Sequence, residues 1–495
     1  MMQFPVSRTS LASSLARFAA IAALAVSAAS PAWSWGAHSL LTRAALSAEP
    51  GMGTAVEAEE LEAFLEAERD GLAALLARIE NRAEAETGAY AGMPPALAFD
   101  PTLRGAALRE SFLRAVRVNP RVPLSLFRQP ARGEAPTGRP ALRPEDYSLI
   151  GSELAGAPME ALEPGASISA LDVVATASDE PDYGLDVGLY ADNAGPLGSA
   201  YGFGQQPFGN PALSYGSQAP FHMAFANEDP VIALAAPFST RSQAAYREIQ
   251  YSSLARFAFE TGHPYWGWRF AGWALHYSED LGEPYHARMI PGQGTLETMI
   301  LNVFGSEGAK DGVLVLLSNR HLVVETYAYQ ALKDPGCPSL DVFEAALAGT
   351  DGKSPAAPAY RRSWMYDVAA AEAYSAGPSL DRIVAKSFPA RYVDDPSFDF
   401  GLAKEQGRDS WEPYGGTVDE AARARLDAAI AERYRAIGAQ TRAYAAYMRD
   451  PTAPLAKRRT PFDPRGAGYI AAIVAIAAAI AFLVAKGRAK RRARR

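Results

Sequence analysis

Cysteine is almost missing from this 495-residue chain. The single thiol, Cys337, can close no intrachain disulfide and cannot build a cysteine zinc cluster, so any metal site must use His, Asp and Glu. Histidine is scarce as well: only His38, His222, His263, His276, His286 and His321 occur. There is no internal repeat, and alternating apolar and polar runs joined by hairpin turns are nearly absent, so a mainly β architecture is excluded. What is present is ordinary globular material. With 48% hydrophobic and 21% charged residues the chain has enough apolar side chains for a large core, which rules out disorder and fibrous repeats.

Positive charge is depleted from the middle of the chain. The net charge of −7 hides two basic ends: residues 1–32 carry two Arg and no acid, and residues 456–495 carry eleven Lys or Arg against one Asp. That leaves 35 basic and 54 acidic residues between 33 and 455, a body at −19. Such a body is a poor footprint for nucleic acid, whose phosphates reward clustered Lys and Arg.

The ends predict export and a tether. Arg8 and Arg17, the apolar run Phe18 to Val26 and the small residues Ser30-Pro31-Ala32 have the layout of a cleavable signal over 1–32. Cleavage after Ala32 leaves Trp33 first; cleavage after Ser34 leaves Trp35. Ala467 to Ala485 is nineteen uncharged residues, close to the roughly 20 that a helix needs to cross a bilayer. Lys486, Arg488, Lys490, Arg491, Arg492, Arg494 and Arg495 follow, a basic tail (486–495) expected on the cytoplasmic side. The proline-rich segment 451–466 then reads as a linker, and the body, 33–450, as an exported, membrane-anchored domain facing the periplasm or the cell surface.

Within the body, helical spacing predicts a long amphipathic helix over Glu57 to Glu84, with Thr54 and Glu57 as a capping box. Asn119 to Pro144 should be irregular, and Gly184 to Gly216 is a glycine-rich loop bearing Tyr190, Tyr201, Phe203, Phe208 and Tyr215. Gln243 to Thr261 and Tyr265 to Leu281 read as consecutive helices, the first closed by Gly262 and the second by Pro284. Thr417 with Glu420 should cap a last helix whose Leu426, Ile430, Tyr434, Ile437 and Tyr444 share a face. The predicted class is all-α.

The histidines have telling neighbours. His276 and Asp280 are four apart, so on a helix both leave the same face and can grip one metal; His286 follows just after Pro284. His321 and Glu325 repeat the spacing. One such pair is usually a mild helix contact worth about 0.2–0.5 kcal/mol, but two pairs plus His286 in a His-poor chain point to metal. His263, between Gly262 and Pro264, lacks an acidic partner at useful spacing and reads as a cap or surface residue.

Tyr251 to Phe257, Ala274-Leu275-His276-Tyr277, Asp280, Glu283-Pro284-Tyr285-His286 and Arg320 to Tyr327 together resemble the bacterial zinc-dependent phospholipase C family, strongly over about 250–330 and patchily elsewhere. The resemblance implies a multi-helix phospholipase C/zinc nuclease-like domain, here with insertions, and three zinc ions. It implies that the mature N-terminal Trp33 chelates one ion through its amine and carbonyl, with His38 and a bridging Asp280. Glu180-Pro181-Asp182-Tyr183 resembles the segment that supplies an Asp, and His222 is the one His available before the central helices. By resemblance, Asp182, His222, His276 and Asp280 hold a second ion, and His286, His321 and Glu325 a third. About 150 residues separate Trp33 from Asp182, and 39 separate Asp182 from His222, longer intervals than the family's, so Asp179 or Asp186 stands as an alternative to Asp182.

The implied activity is cleavage of a phospholipid to diacylglycerol and a phosphorylated headgroup, with Asp182 and Asp280 as the working carboxylates. The same scaffold hosts single-strand nucleases and 3'-nucleotidases, which usually carry Asp where this chain has Glu325; the acidic body also speaks against a nucleic acid partner. A membrane-anchored binding protein that has lost turnover is a third reading, opposed by the nine ligand candidates. The rings of the Gly184–Gly216 loop suit a base, a choline-like headgroup, the bilayer or simple packing, and packing is the expectation for most of them.

Overall fold

The structure is a computed structural model that describes residues 38–450 except 89, 151–158, 210–215, 357–358 and 362–363. The predicted signal, Trp33, Trp35, the linker, the apolar stretch 467–485 and the basic tail lie outside the described residues. Among the described residues no helix is long and apolar enough to cross a membrane.

Eleven helices of nine residues or more frame the described residues: α1 His38–Leu46, α2 Leu61–Glu86, α3 Gly105–Ala115, α4 Ala170–Ser178, α5 Ala244–Glu260, α6 Pro264–Asp280, α7 Thr295–Phe304, α8 Glu307–Lys333, α9 Leu340–Ala348, α10 Ala371–Ser387 and α11 Glu420–Arg449. Among the described residues the strands form two antiparallel ribbons, β1 Ala55–Glu57 with β4 Ser167–Ser169, and β2 Phe127–Arg128 with β3 Glu160–Ala161. The all-α expectation holds at this level.

The fold is organised around α6. Pro264 occupies its first turn, where a missing N–H costs nothing, and Gly262 at φ +88° reverses the chain after α5. Tyr265, Trp266, Trp268, Phe270 and Trp273 wrap α6 in apolar surface, and every residue from Tyr265 to Asp280 is buried, between α5 on one side and α4 on the other. Gly272 lets α4 come this close. A Cβ at Gly272 would sit 2.6 Å from both the Cβ of Ala177 and the carbonyl oxygen of Val174.

The predicted stripe of α2 (Phe64, Leu65, Leu72, Leu75, Leu76, Ile79) is buried as expected, but its start is not. Ala55–Glu57 is a strand, with Val56 opposite Ile168, and the helix begins at Leu61. The Thr54–Glu57 capping box is therefore wrong: pairing with β4 claims the backbone that the cap would have served. The last helix is likewise capped by Asp419, whose carboxylate accepts from Ala422 N, rather than by Thr417, although Leu426, Ile430, Tyr434, Ile437 and Tyr444 do share its buried face. His263 has acidic partners after all. Its Nδ1 lies 2.8 Å from Glu59 Oε1 and its Nε2 3.4 Å from Glu68 Oε1, which ties the start of α6 to α2. Tyr190, Tyr201, Phe203 and Phe208 are buried, the first three in the main core and Phe208 in a small satellite cluster, so they serve packing; Tyr215 lies outside the described residues.

Candidate metal centre

His276 and Asp280 leave one face of α6, one turn apart, and the helix ends directly after them, with Glu283 N bonding to Asp280 O at 2.9 Å. Pro284 does more than stop α6. It opens a one-turn helix, Pro284–Ala287, whose N-cap Glu283 accepts from His286 N at 2.9 Å, and this turn swings the His286 imidazole back toward Asp280. His321 and Glu325 stand one turn apart on α8, with the His321 ring stacked on Tyr285 at 5.3 Å. His38 is the first residue of α1, Asp182 sits on the 3-10 turn Glu180–Tyr183, and His222 ends the short helix Ala219–His222.

These elements place ligand atoms in three groups, each with its members within 4.8 Å of one another: His38, His276 and Asp280; Asp182, His222 and His276; Glu283, His286, His321 and Glu325. Asp280 links the first two. Its Oδ1 lies 3.4 Å from His38 Nε2, and its Oδ2 lies 2.9 Å from His222 Nδ1 and 3.4 Å from His276 Nε2. Asp182 Oδ1 is 3.6 Å from His276 Nε2 and 3.7 Å from His222 Nδ1. In the third group His286 Nε2 and His321 Nε2 approach Glu325 Oε1 to 3.4 and 2.8 Å.

His38, His276 and His286 each have their other nitrogen held by a partner behind it, whereas His222 Nε2 only faces a carboxylate without hydrogen-bonding to it. His38 Nδ1 is 3.0 Å from Glu279 Oε2, and Glu279 is fixed in turn by the hydroxyls of Thr42 and Thr441 at 2.9 and 3.0 Å. His276 Nδ1 donates to Ser178 O at 2.7 Å, and His286 Nδ1 to His222 O at 2.9 Å. His222 Nε2 faces Asp186 Oδ2 at 3.6 Å; Asp186 is clamped by Arg247 and by Tyr277 Oη at 2.6 Å. A partner behind the ring selects the tautomer and aims the remaining nitrogen, an arrangement typical of metal-bound histidine.

Two of the aimed nitrogens, His276 Nε2 and His222 Nδ1, bond each other at 2.9 Å, and the other aimed atoms are buried and lack hydrogen bonds of proper geometry: His38 Nε2, both Asp280 oxygens, Asp182 Oδ1, Glu283 Oε1, His286 Nε2 and His321 Nε2. A buried polar atom without a hydrogen bond costs about 1–3 kcal/mol, so seven in one place need another kind of partner. Among the described residues Asp182, Asp280 and Glu283 form ion pairs with imidazoles alone. Each of the three keeps at least one buried oxygen without a hydrogen bond, although His286 N serves Glu283 Oε2. Burial pushes Asp182 up to about 7, against the pull of His222, and Glu283 up to about 8, against His321. Burial acts on Asp280 in the same sense, but His276 and His222 outweigh it and hold the carboxyl well below its usual range. The donor set of imidazole nitrogen and carboxylate oxygen suits divalent ions, and these buried clusters can hold them.

No family model, curated protein or solved structure matches this chain.

The reading therefore rests on geometry. Of the nine ligands anticipated from the sequence, His38, Asp182, His222, His276, Asp280, His286, His321 and Glu325 come together, and Trp33 lies outside the described residues. Asp182 is the carboxylate beside His222 and His276. The alternatives have other places: Asp186 backs His222, and Asp179 accepts from Ser39 N at 3.0 Å at the start of α1. Glu279 and Glu283 were missed, and the available signal was a Glu one residue before and another three residues after Asp280. The side chain of Asp182 is 16% exposed while those of His222, His276 and Asp280 are fully buried, so the centre meets solvent at Asp182. A cavity of about 430 Å³ lined by Arg43, Arg132 and Glu344 takes other residues of α1 and none of these ligands.

Proposed function

We propose that the chain is a zinc-dependent phosphodiester hydrolase of the phospholipase C type, cleaving phospholipid to diacylglycerol and a phosphorylated headgroup. The observation that carries this reading is the Asp280 carboxylate presented to two adjacent ligand groups, with the partly exposed Asp182 beside it. His38, His276, Asp280, Asp182 and His222 would hold zinc, which when bound would supply a water acidified to a pKa of about 7 and positive charge for the phosphoryl oxygens. Asp280 sets the spacing of the two groups. Asp182, at the solvent edge, orients the attacking water and accepts its proton. His38 and His276, held from behind by Glu279 and by Ser178 O, have their remaining nitrogens directed into the site. The body at −19 favours a lipid over a polynucleotide, as does the apolar stretch 467–485 expected to tether the chain to a bilayer. Export and membrane anchorage belong to the same proposal.

The test is metal analysis of the purified full chain with parallel hydrolysis of phosphatidylcholine vesicles and single-stranded DNA. The expected result is bound zinc and release of diacylglycerol, reduced at least ~100-fold by Asp182→Asn. Faster cleavage of DNA than of lipid overturns the substrate assignment in favour of the nuclease reading, and a protein with metal bound but neither activity overturns the hydrolase.

A further inference from the structure

Glu283 stands apart from the ligands anticipated by sequence. Its side chain is fully buried, one oxygen caps the Pro284–Ala287 turn through His286 N, and the other, Oε1, has no hydrogen bond. Glu283 Oε2 is 3.9 Å from His321 Nε2, and the carboxylate shares the 4.8 Å cluster with His286, His321 and Glu325. Arg433, a buried cation that feels the Glu283 charge, directs two donors to Gly282 O and Glu372 O and makes no hydrogen bond to Glu283, its Nη2 having none at all. The 2.8 Å approach of His321 Nε2 to Glu325 Oε1 lacks hydrogen-bond geometry, which is how two ligands of one ion stand to each other.

We infer that Glu283 is a fourth protein ligand, and that Glu283, His286, His321 and Glu325 form a closed, structural ion site, distinct in kind from the open pair around Asp280. This inference rests on the metal-dependent reading above. Four protein donors fill a tetrahedral ion and leave no position for water or substrate, the hallmark of structural zinc. Charge separates the sites as well. Two carboxylates and two neutral imidazoles around one divalent ion sum to zero. The open pair has only Asp182 and Asp280 among the described ligands to set against two divalent ions, so it retains net positive charge for an anionic phosphodiester. The closed site fastens the turn after α6 to α8, and so holds Asp280 in place from its C-terminal side.

The experiment uses the full chain and cobalt(II) as probe, comparing wild type with Glu283→Gln. Gln keeps the acceptor that caps His286 N and nearly the same volume, but loses the charge. In the wild type we expect one cobalt with the intense visible absorption of four-coordinate geometry, removed by chelator at least tenfold more slowly than the rest. In Glu283→Gln that ion should bind at least ~10-fold more weakly, with its absorption weakened, while the remaining cobalt is unchanged. Circular dichroism of the variant checks the fold, and Glu283→Asp, which keeps the charge, should regain part of the affinity. A wild type that binds no cobalt overturns the metal-dependent reading itself. A wild type that binds cobalt while Glu283→Gln matches it in affinity, spectrum and chelator resistance leaves that reading intact and overturns the fourth ligand.

Discussion

Glu279 lies 3.0 Å from His38 across 241 residues of chain, and the hydroxyls of Thr42 and Thr441 hold it there. One carboxylate thus joins α1, α6 and α11 directly behind a ligand candidate. Burial works against charge on His38, but Asp280 and Glu279 on its two sides outweigh it and raise the imidazole well above its ordinary range.

Glu279→Gln should therefore weaken divalent binding without dismantling the fold. Loss of a carboxylate behind a metal-bound histidine costs roughly 10- to 100-fold in affinity. Competition against a fluorescent chelator measures it, and an unchanged dissociation constant would reduce Glu279 to a packing residue.

Gly272→Ala tests the close approach of α4 to α6. The added methyl meets Ala177 and Val174 at 2.6 Å, and overpacking of this kind costs about 1–3 kcal/mol. Moving α4 also moves Ser178 O away from His276 Nδ1, so metal affinity should fall together with the denaturant midpoint. A drop in stability alone would uncouple the helix contact from the site.

Arg269 anchors the turn that carries Asp182. It binds Glu180 at 2.9 Å in a fully buried pair, and Trp273 Nε1 adds a second bond to Glu180 at 2.9 Å. Arg269→Met should destabilise the chain by about 3–5 kcal/mol, because Glu180 is left charged and unpaired. Adding Glu180→Leu should recover most of that in chemical denaturation; no recovery would mean that packing, not the stranded charge, sets the cost.

Glu248 gives a pH dependence away from the metal centre. Burial pushes its carboxyl up to about 7, only partly opposed by Arg82 and by Ser252 Oγ, which donates at 2.8 Å; Tyr360 Oη also donates to it. The folded state holds this proton to higher pH than the unfolded state does. Its contribution is complete below about pH 4.5 and is lost as pH rises toward 7, a change on the order of 3 kcal/mol. Glu248→Gln should be more stable than wild type at pH 8 and lose that advantage near pH 4.5. Parallel unfolding curves across this range would refute the shift.

Much of the fold was legible because its signals are local. The apolar stripes of α2 and α11 and the paired helices flanking Gly262 follow from spacing along one segment, and so do the His276–Asp280 and His321–Glu325 pairs. Errors clustered where a distant segment competed. β4 took the backbone that Thr54 was expected to cap, and His263 found Glu59 just before α2 and Glu68 within it; only the shift of the last cap from Thr417 to Asp419 was local.

From its residues alone the chain determined an α-helical body and two helical pairs of ligand type, because side-chain direction on a helix is set by positions three and four apart. Only the tertiary structure decided which carboxylates meet which imidazoles. Asp182, Asp186, Glu279 and Glu283 are chemically alike in sequence, and their parts differ through neighbours brought close across tens to hundreds of residues, by burial that strips water from them and by whatever positive charge lies within reach.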